Sequence, residues 1–307
     1  MRLLLIRPGA LGDTLLTFPV IEALRAASHE PHVILVGNKA VLPLAHAFGL
    51  AEDVFDFEEP LWSGLFATPQ ADGPGRNPSL RSILSGIDRA VAWLSDPDHI
   101  VYQNLQAAGI SQVTVVPGRP SAQERIHVVD YLARSVGVST NPRPCYGDGF
   151  PATENILAQE RALAIHPGSG GARKCWPPER FAEVIRRLWQ WGWPILLLCG
   201  PADHERLEIL LKLLPAPPQP AMLKLLVDRH LLDLVPILRR CRGYLGNDAG
   251  MTHLAALLGL PTLALFGPTD PLIWQPRGRA VNIIHAPDLE KLGADTVIEY
   301  IEKPEPQ

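Results

Sequence analysis

A chain of 307 residues with 47% apolar side chains is long enough for two ordinary cores and too apolar to stay disordered. Its formal net charge of -4 gives no electrostatic basis for nucleic acid as the main partner. The cysteines, Cys145, Cys175, Cys199 and Cys241, are widely spaced, with no CxxC pair and no Cys/His cluster; this argues against a zinc site or a disulfide framework and fits the reduced thiols of a cytoplasm.

The apolar start, Met1 to Ile6, is broken by Arg7 and Pro8, too early for a signal peptide. No apolar stretch is long enough to span a bilayer.

The spacing of apolar residues predicts a strand over 2–6 and a helix over 14–27 capped by Asp13, with Pro19 inside it. A strand over 32–36, a helix over 40–48 and a strand over 54–57 complete a β-α-β-α-β half. Residues 62–81, rich in Gly, Pro, Asn and Ser, read as a long loop. A helix over 82–94, strands over 100–102 and 113–116 and a helix over 126–136 follow, and 141–152 read as a linker. The alternation then restarts. Strands are expected over 162–165, 195–199, 243–245, 262–266 and, at an edge, 281–284. Helices are expected over 177–191, 202–214, 231–240, 251–258 and 295–301, with a turn-rich break over 215–220. The implied division is 1–145 and 146–307, two doubly wound α/β domains, the last helix being able to pack back on the first domain.

Four loops at strand ends carry residues suited to chemistry. The first is Pro8-Gly9-Ala10-Leu11-Gly12-Asp13. An acid at a helix start is favoured in its ionised form by the dipole and can accept a proton from a hydroxyl, although on this loop alone the commoner role of such an acid, here Asp13, is a plain helix cap. The second runs from His166 to Pro177. Its glycines, Ser169, Arg173 and Lys174 suit a diphosphate, but it matches neither GxxxxGK[ST] nor GxGxxG. The third, Gly200 to Arg206, offers Asp203 and Glu205 to a ribose, or Asp203 to a helix cap. The fourth joins Gly246-Asn247-Asp248-Ala249-Gly250-Met251-Thr252-His253 to Phe266-Gly267-Pro268-Thr269-Asp270-Pro271. With Asp248 as the cap, this is a strand leading into a helix N-terminus, where open α/β sheets bind phosphates. His253, one turn into that helix, has a structural reading as well. Asp96-Pro97-Asp98 spells DxD, a pattern of metal-dependent sugar transferases, and here reads as a solvated turn.

Taken in order, Ile6 to Asp13, His166 to Ser169, Lys174 to Pro177, Asn247 to His253 and Phe266 to Pro271 resemble glycosyltransferase family 9, the lipopolysaccharide heptosyltransferases. The resemblance covers most of the chain and is weak over 59–123. It implies a GT-B fold, two Rossmann-like domains facing across a cleft, the first binding the acceptor and the second the nucleotide-sugar. It also implies an inverting, metal-independent transfer in lipopolysaccharide biosynthesis. Asp13 would then be the general base, with Gly9 and Gly12 letting the acceptor approach. Lys174 would neutralise the departing diphosphate, aided by Ser169 and the amides of Asp248, Ala249, Gly250 and Met251. Glu205 would hold the ribose, and His253 would line the donor side.

The expected donor is a nucleotide-sugar, ADP-heptose being the family's best known, and the acceptor a glycan or glycolipid. No metal or other cofactor, no nucleic acid and at most peripheral contact with the inner membrane face are expected, with Trp62, Leu65 and Phe66 either candidates for that contact or buried anchors of their loop. The alternatives are a nucleotide-sugar 2-epimerase of similar design, in which Asp13 would lack a role, and a nucleotide-sugar-binding protein without turnover.

Overall fold

The structure, a computed structural model, describes residues 1–28, 31–67, 77–121, 123–148 and 162–302. The chain divides into two compact units, Met1–Asn141 and Pro142–Gln307.

In the first unit the elements run β1 (Arg2–Ile6), α1 (Leu11–Leu15), α2 (Phe18–Ala27), β2 (His32–Gly37), α3 (Leu42–Ala47) and β3 (Asp53–Asp56). A 3-10 segment at Pro60–Leu65 follows, then α4 (Pro78–Leu84), β4 (Arg89–Trp93), α5 (Ile100–Ala107), β5 (Gln112–Val116) and α6 (Val128–Val136). The strands form one parallel sheet in the order β3-β2-β1-β4-β5. A parallel sheet is covered on both faces, which is why Leu3, Leu4, Leu5 and Ile6 are consecutive and all fully buried. Leu4, Ile6, Ile34, Val36, Ala90 and Ala92 share one packed layer with Trp62, Leu65, Leu80, Leu84, Val101 and Leu105. Strand order reverses between β1 and β4, so the loops leaving their carboxyl ends part there.

Several expectations for this unit are corrected. The helix over 14–27 is two helices broken at Leu16 and Thr17. Pro19 does not kink an interior; it occupies the first turn of α2, where its missing N–H has no partner to lose. Asp13 is not the cap of α1: Ala10 is, and Asp13 sits at the third helical position. Residues 82–94 are not one helix. Asn77 caps α4 by accepting from the amides of Ser79 and Leu80, and Arg89–Trp93 is a central strand. Residues 100–102 begin α5 instead of forming a strand, because the Asp96 carboxylate accepts from the amides of Val101 and Tyr102 at its first turn. Trp62 and Leu65 are buried in the core, which removes them as membrane anchors, whereas Phe66 is exposed. Part of the long loop, 68–76, lies outside the described residues.

The second unit runs β6 (Leu163–His166), α7 (Pro178–Gln190), β7 (Ile195–Cys199), α8 (His204–Leu213), β8 (Leu223–Val227), α9 (Leu231–Leu238), β9 (Gly243–Asn247), α10 (Gly250–Leu257), β10 (Thr262–Phe266), α11 (Pro271–Trp274), β11 (Val281–His285) and α12 (Ala294–Glu302). Its parallel sheet has the order β11-β10-β9-β6-β7-β8, and the reversal lies between β6 and β9, which pair in register from Leu163 with Gly243 to His166 with Gly246.

Trp176 and Phe181, both fully buried, pack edge to face with ring centroids 4.9 Å apart at the head of α7. The edge strand β8 was not expected; it follows the proline-rich turn directly. The last helix, α12, buries Val297 and Ile298 in this unit's own core beside α7. The segment before β6 is anchored here too, through Tyr146 N–H to the Leu257 carbonyl and Arg239 to the Tyr146 carbonyl. Of the expected linker, 149–152 lie outside the described residues.

Candidate active site

In the second unit, the loop after β6 and the loop after β9 leave neighbouring strands at the reversal point, and one side chain ties them together. Asn247 ends β9 and is fully buried. Its Oδ1 accepts from the Trp176 amide at 2.9 Å, and its Nδ2 donates to the carbonyls of Pro167 at 2.9 Å and Gly168 at 3.2 Å. Both ends of the Gly-rich loop are thus clamped to one residue. Thr252 bonds back to the Asn247 carbonyl and to the Tyr244 hydroxyl, whose pKa burial pushes up, so that it stays a neutral phenol.

On this frame Ser169 Oγ donates to the Asp248 carbonyl at 2.6 Å, and Lys174 Nζ donates to Asp248 Oδ2 at 2.7 Å. Asp248 is buried, while the Lys174 side chain keeps 40% of its surface exposed. Helix α10 begins just beyond. Its cap is Ala249, which has no side chain able to satisfy the first-turn amides; the expectation that Asp248 is the cap is corrected, because its carboxylate is spent on Lys174. The Asp248 amide is also committed, to the Leu265 carbonyl at 3.0 Å, and so leaves the expected set of diphosphate donors. Ala249, Gly250 and Met251 remain at the helix start, where unsatisfied N–H groups and the dipole favour an anion. Four of the expected residues, Ser169, Lys174, Asp248 and Gly250, therefore meet at one place. His253 is buried at the end of the first turn and does not face solvent.

The third loop separates its two acids. Asp203 is buried, 3.0 Å from Nε2 of His166. Burial alone would raise its pKa, but hydrogen bonds from His166 and the Gly200 amide and the nearby charges of His166 and Arg206 hold the carboxyl below the ordinary range. Gly168 lies so close that a Cβ there would come within 2.0 Å of Asp203 Oδ1, so a side chain would displace the carboxylate from its place beside His166. Glu205, in contrast, is exposed on the first turn of α8, where a hydroxyl-bearing ligand can reach it. In the fourth loop, Asp270 caps α11 by accepting from Leu272 N–H.

In the first unit, Gly9 has φ +128°, a conformation suited to glycine, and a Cβ there would stand 2.6 Å from Asp13 Oδ2. Asp13 Oδ2 accepts from the Ala10 amide at 3.0 Å and its Oδ1 from Arg7 Nη2 at 2.7 Å. Asp13 stays 29% exposed beside an Arg7 side chain only 4% exposed. Gly12 occupies the second position of α1, and Asn38 closes the loop through Gly9 carbonyl and Thr14 Oγ1. Arg7 and Asn247 were not expected as site elements, and Asp203, a candidate for the ribose, was not expected to pair with His166. An arginine between a buried strand and a Gly-rich turn was the available signal for Arg7.

Among the described residues, no cluster of three or more His, Cys, Asp or Glu side chains could hold a metal ion, and no helix is long and apolar enough to cross a membrane. Asp96, of the DxD triplet, is engaged in starting α5.

The model of the family described as glycosyltransferase family 9 (heptosyltransferase) matches residues 132–299, more than half of the chain and nearly all of the second unit. The chain belongs to glycosyltransferase family 9. Among its family-9 relatives, lipopolysaccharide heptosyltransferase 2 of Salmonella typhimurium is 31% identical over 130 residues, 42% of this chain and 37% of that protein. The match thus spans well under half of the relative's length. Two solved structures share the fold over nearly their whole lengths. E. coli ADP-heptose lps heptosyltransferase II has a TM-score of 0.77 at 21% identity, covering 98% of this chain and 97% of that one. E. coli heptosyltransferase WaaC with ADP has a TM-score of 0.74 at 20% identity, covering 98% and 99%. The two parallel sheets are those of the GT-B fold that family 9 shares.

Proposed function

We propose that this family-9 chain is a glycosyltransferase that moves a heptose-like sugar from ADP-heptose to a lipopolysaccharide-core or related glycan acceptor, with inversion and without a metal. The observation that carries the reading is the convergence of Ser169, Lys174 and Asp248 at the uncapped start of α10. That arrangement supplies a cation, a hydroxyl and free amides to a group that gains negative charge as it departs. The named relatives point to the same donor chemistry.

In the reaction, the acceptor oxygen forms a bond to the anomeric carbon as the bond from that carbon to the diphosphate oxygen breaks. The electron pair leaves with ADP, and the acceptor proton passes to Asp13. Lys174 and the amides of Ala249, Gly250 and Met251 stabilise the charge on the leaving ADP. Glu205 engages the ribose, His253 backs the donor loop from within α10, and Gly9 and Gly12 keep the approach to Asp13 open. Acting in the cytoplasm, the enzyme would meet a glycolipid acceptor at the inner membrane face by peripheral contact.

The test is incubation with ADP-heptose and a heptose-deficient core glycolipid, following ADP release and the mass of the acceptor. One added heptose per ADP supports the reading. Conversion of the donor sugar without acceptor would replace it with an epimerase, and donor binding without any turnover would replace it with a binding protein.

A further inference from the structure

The general-base reading gives Asp13 a task but leaves unexplained why a buried arginine lies beneath it. Arg7 follows β1 directly. Its own amide is locked to the Val36 carbonyl at 2.8 Å, which fixes the backbone from which the side chain departs. The guanidinium then reaches in two directions. Nη2 donates to Asp13 Oδ1 at 2.7 Å and Nε points to the Asp13 carbonyl at 3.3 Å, while Nη1 points to the Trp93 carbonyl at the end of β4, 3.4 Å away. It therefore bridges the two strands between which the sheet order reverses. Room for it is made on a third side: a Cβ at Gly118, beyond β5, would fall 1.6 Å from Nη1.

Burying a cation is costly, and desolvation lowers the pKa of Arg7 against the opposing pull of Asp13. A residue needed only to fill this space would be apolar. The carboxylate is gripped from both ends, Oδ1 by Arg7 and Oδ2 by the Ala10 amide, yet Asp13 remains partly open to solvent. Such a grip fixes the plane of the carboxylate and leaves its remaining lone pairs for an incoming hydroxyl. The planar guanidinium reaches Asp13 and Trp93 from two separate nitrogens in a fixed geometry, which an ammonium with all its donors on one nitrogen does not reproduce.

We infer that Arg7 is a positioning residue for transfer, holding the Asp13 carboxylate in the orientation that receives the acceptor proton. This rests on Asp13 being the base. Loss of the grip is felt in kcat, because a small misplacement of a reacting group costs about 100-fold. Donor KM is unaffected, since every nucleotide-binding element named above belongs to the second unit.

The experiment measures kcat and donor KM for Arg7→Ala, Arg7→Lys, Asp13→Asn and the Arg7→Ala/Asp13→Asn double variant. Each is assayed with and without millimolar guanidinium chloride, against sodium chloride at equal ionic strength. The expected result is a fall in kcat of about 100-fold for Arg7→Ala with donor KM within about twofold, partial recovery in guanidinium but not in sodium, and no recovery in the double variant. A purely structural arginine would not produce a recovery that depends on Asp13. Wild-type kcat in Arg7→Ala, or recovery that persists in the double variant, overturns the inference. Full activity in Asp13→Asn overturns the base reading itself, which keeps the two failures apart. Where Arg7→Ala does not fold, Arg7→Lys decides: a kcat at least tenfold down with unchanged donor KM supports the inference, and wild-type kcat overturns it.

Discussion

Lys174 Nζ stands 2.7 Å from Asp248 Oδ2, a half-exposed cation held by a carboxylate whose side chain is only 6% exposed. The pair holds Lys174 beside the start of α10 and leaves its remaining donors open, where the proposed function puts a phosphate. Lys174→Ala is expected to weaken ADP binding at least tenfold and to lower kcat by about 100-fold, the usual loss when one donor to a developing anion is removed. Calorimetric titration with ADP and a transfer assay read the two effects. Unchanged values for both would take Lys174 out of the site.

Asp13→Ala is expected to reduce transfer by about 100-fold or more, the range of general-base contributions, with ADP affinity unchanged. The nucleotide elements and Asp13 belong to different units, so the two properties separate. An Ala variant that retains the full rate would refute the base assignment.

Asn247→Ala removes a buried side chain that makes three hydrogen bonds to Trp176, Pro167 and Gly168. Stranding those backbone groups should cost about 3 kcal/mol in chemical denaturation, since each buried unsatisfied group costs about 1–3 kcal/mol. ADP binding should weaken with it as the loop loses both its ties. A loss of less than about 0.5 kcal/mol, within the range of ordinary surface substitutions, would show that the clamp is dispensable.

Asp203 gives a pH dependence with a defined sign. Its folded-state pKa lies below the ordinary value, so the stability it confers is fully present above the unfolded carboxylate value of about 3.9. That contribution is lost as pH falls through the lower folded value. Unfolding free energy measured from about pH 5 downward should therefore drop more steeply in the wild type than in Asp203→Asn. Parallel curves would mean that the His166 contact contributes nothing to acid stability.

A chelator is expected to leave the transfer rate unchanged. A loss reversed by added divalent ion would reopen the DxD reading, even though the Asp96 carboxylate is occupied by the Val101 and Tyr102 amides.

The continuous apolar runs of β1, β7 and β10 could be read directly, because a strand buried on both faces needs no polar alternation. Arg89–Trp93 could not: an Ala-rich run of that length fits a helix as well as a strand, and only its place between β1 and β5 decides. Ile100 and Val101 favoured a strand by β-branching, and the carboxylate of Asp96, four residues before Ile100, overrode that preference. At the site, loops with Gly, hydroxyl and basic residues at strand ends were legible from composition. What Asp248, Asp203 and Arg7 hold was not, because their partners, except for the nearby Asp13, lie far along the chain and come together only through the sheet.

The division at Asn141 leaves Asn247, Ser169, Lys174, Asp248 and α10 on one contiguous piece with its own sheet and core. The family match from 132 to 299 takes in nearly all of that piece and only the end of the other. On the proposed function, substitutions in the front half can therefore change which acceptor is used while the residues assigned to the nucleotide-sugar, all carried by the rear half, stay as they are.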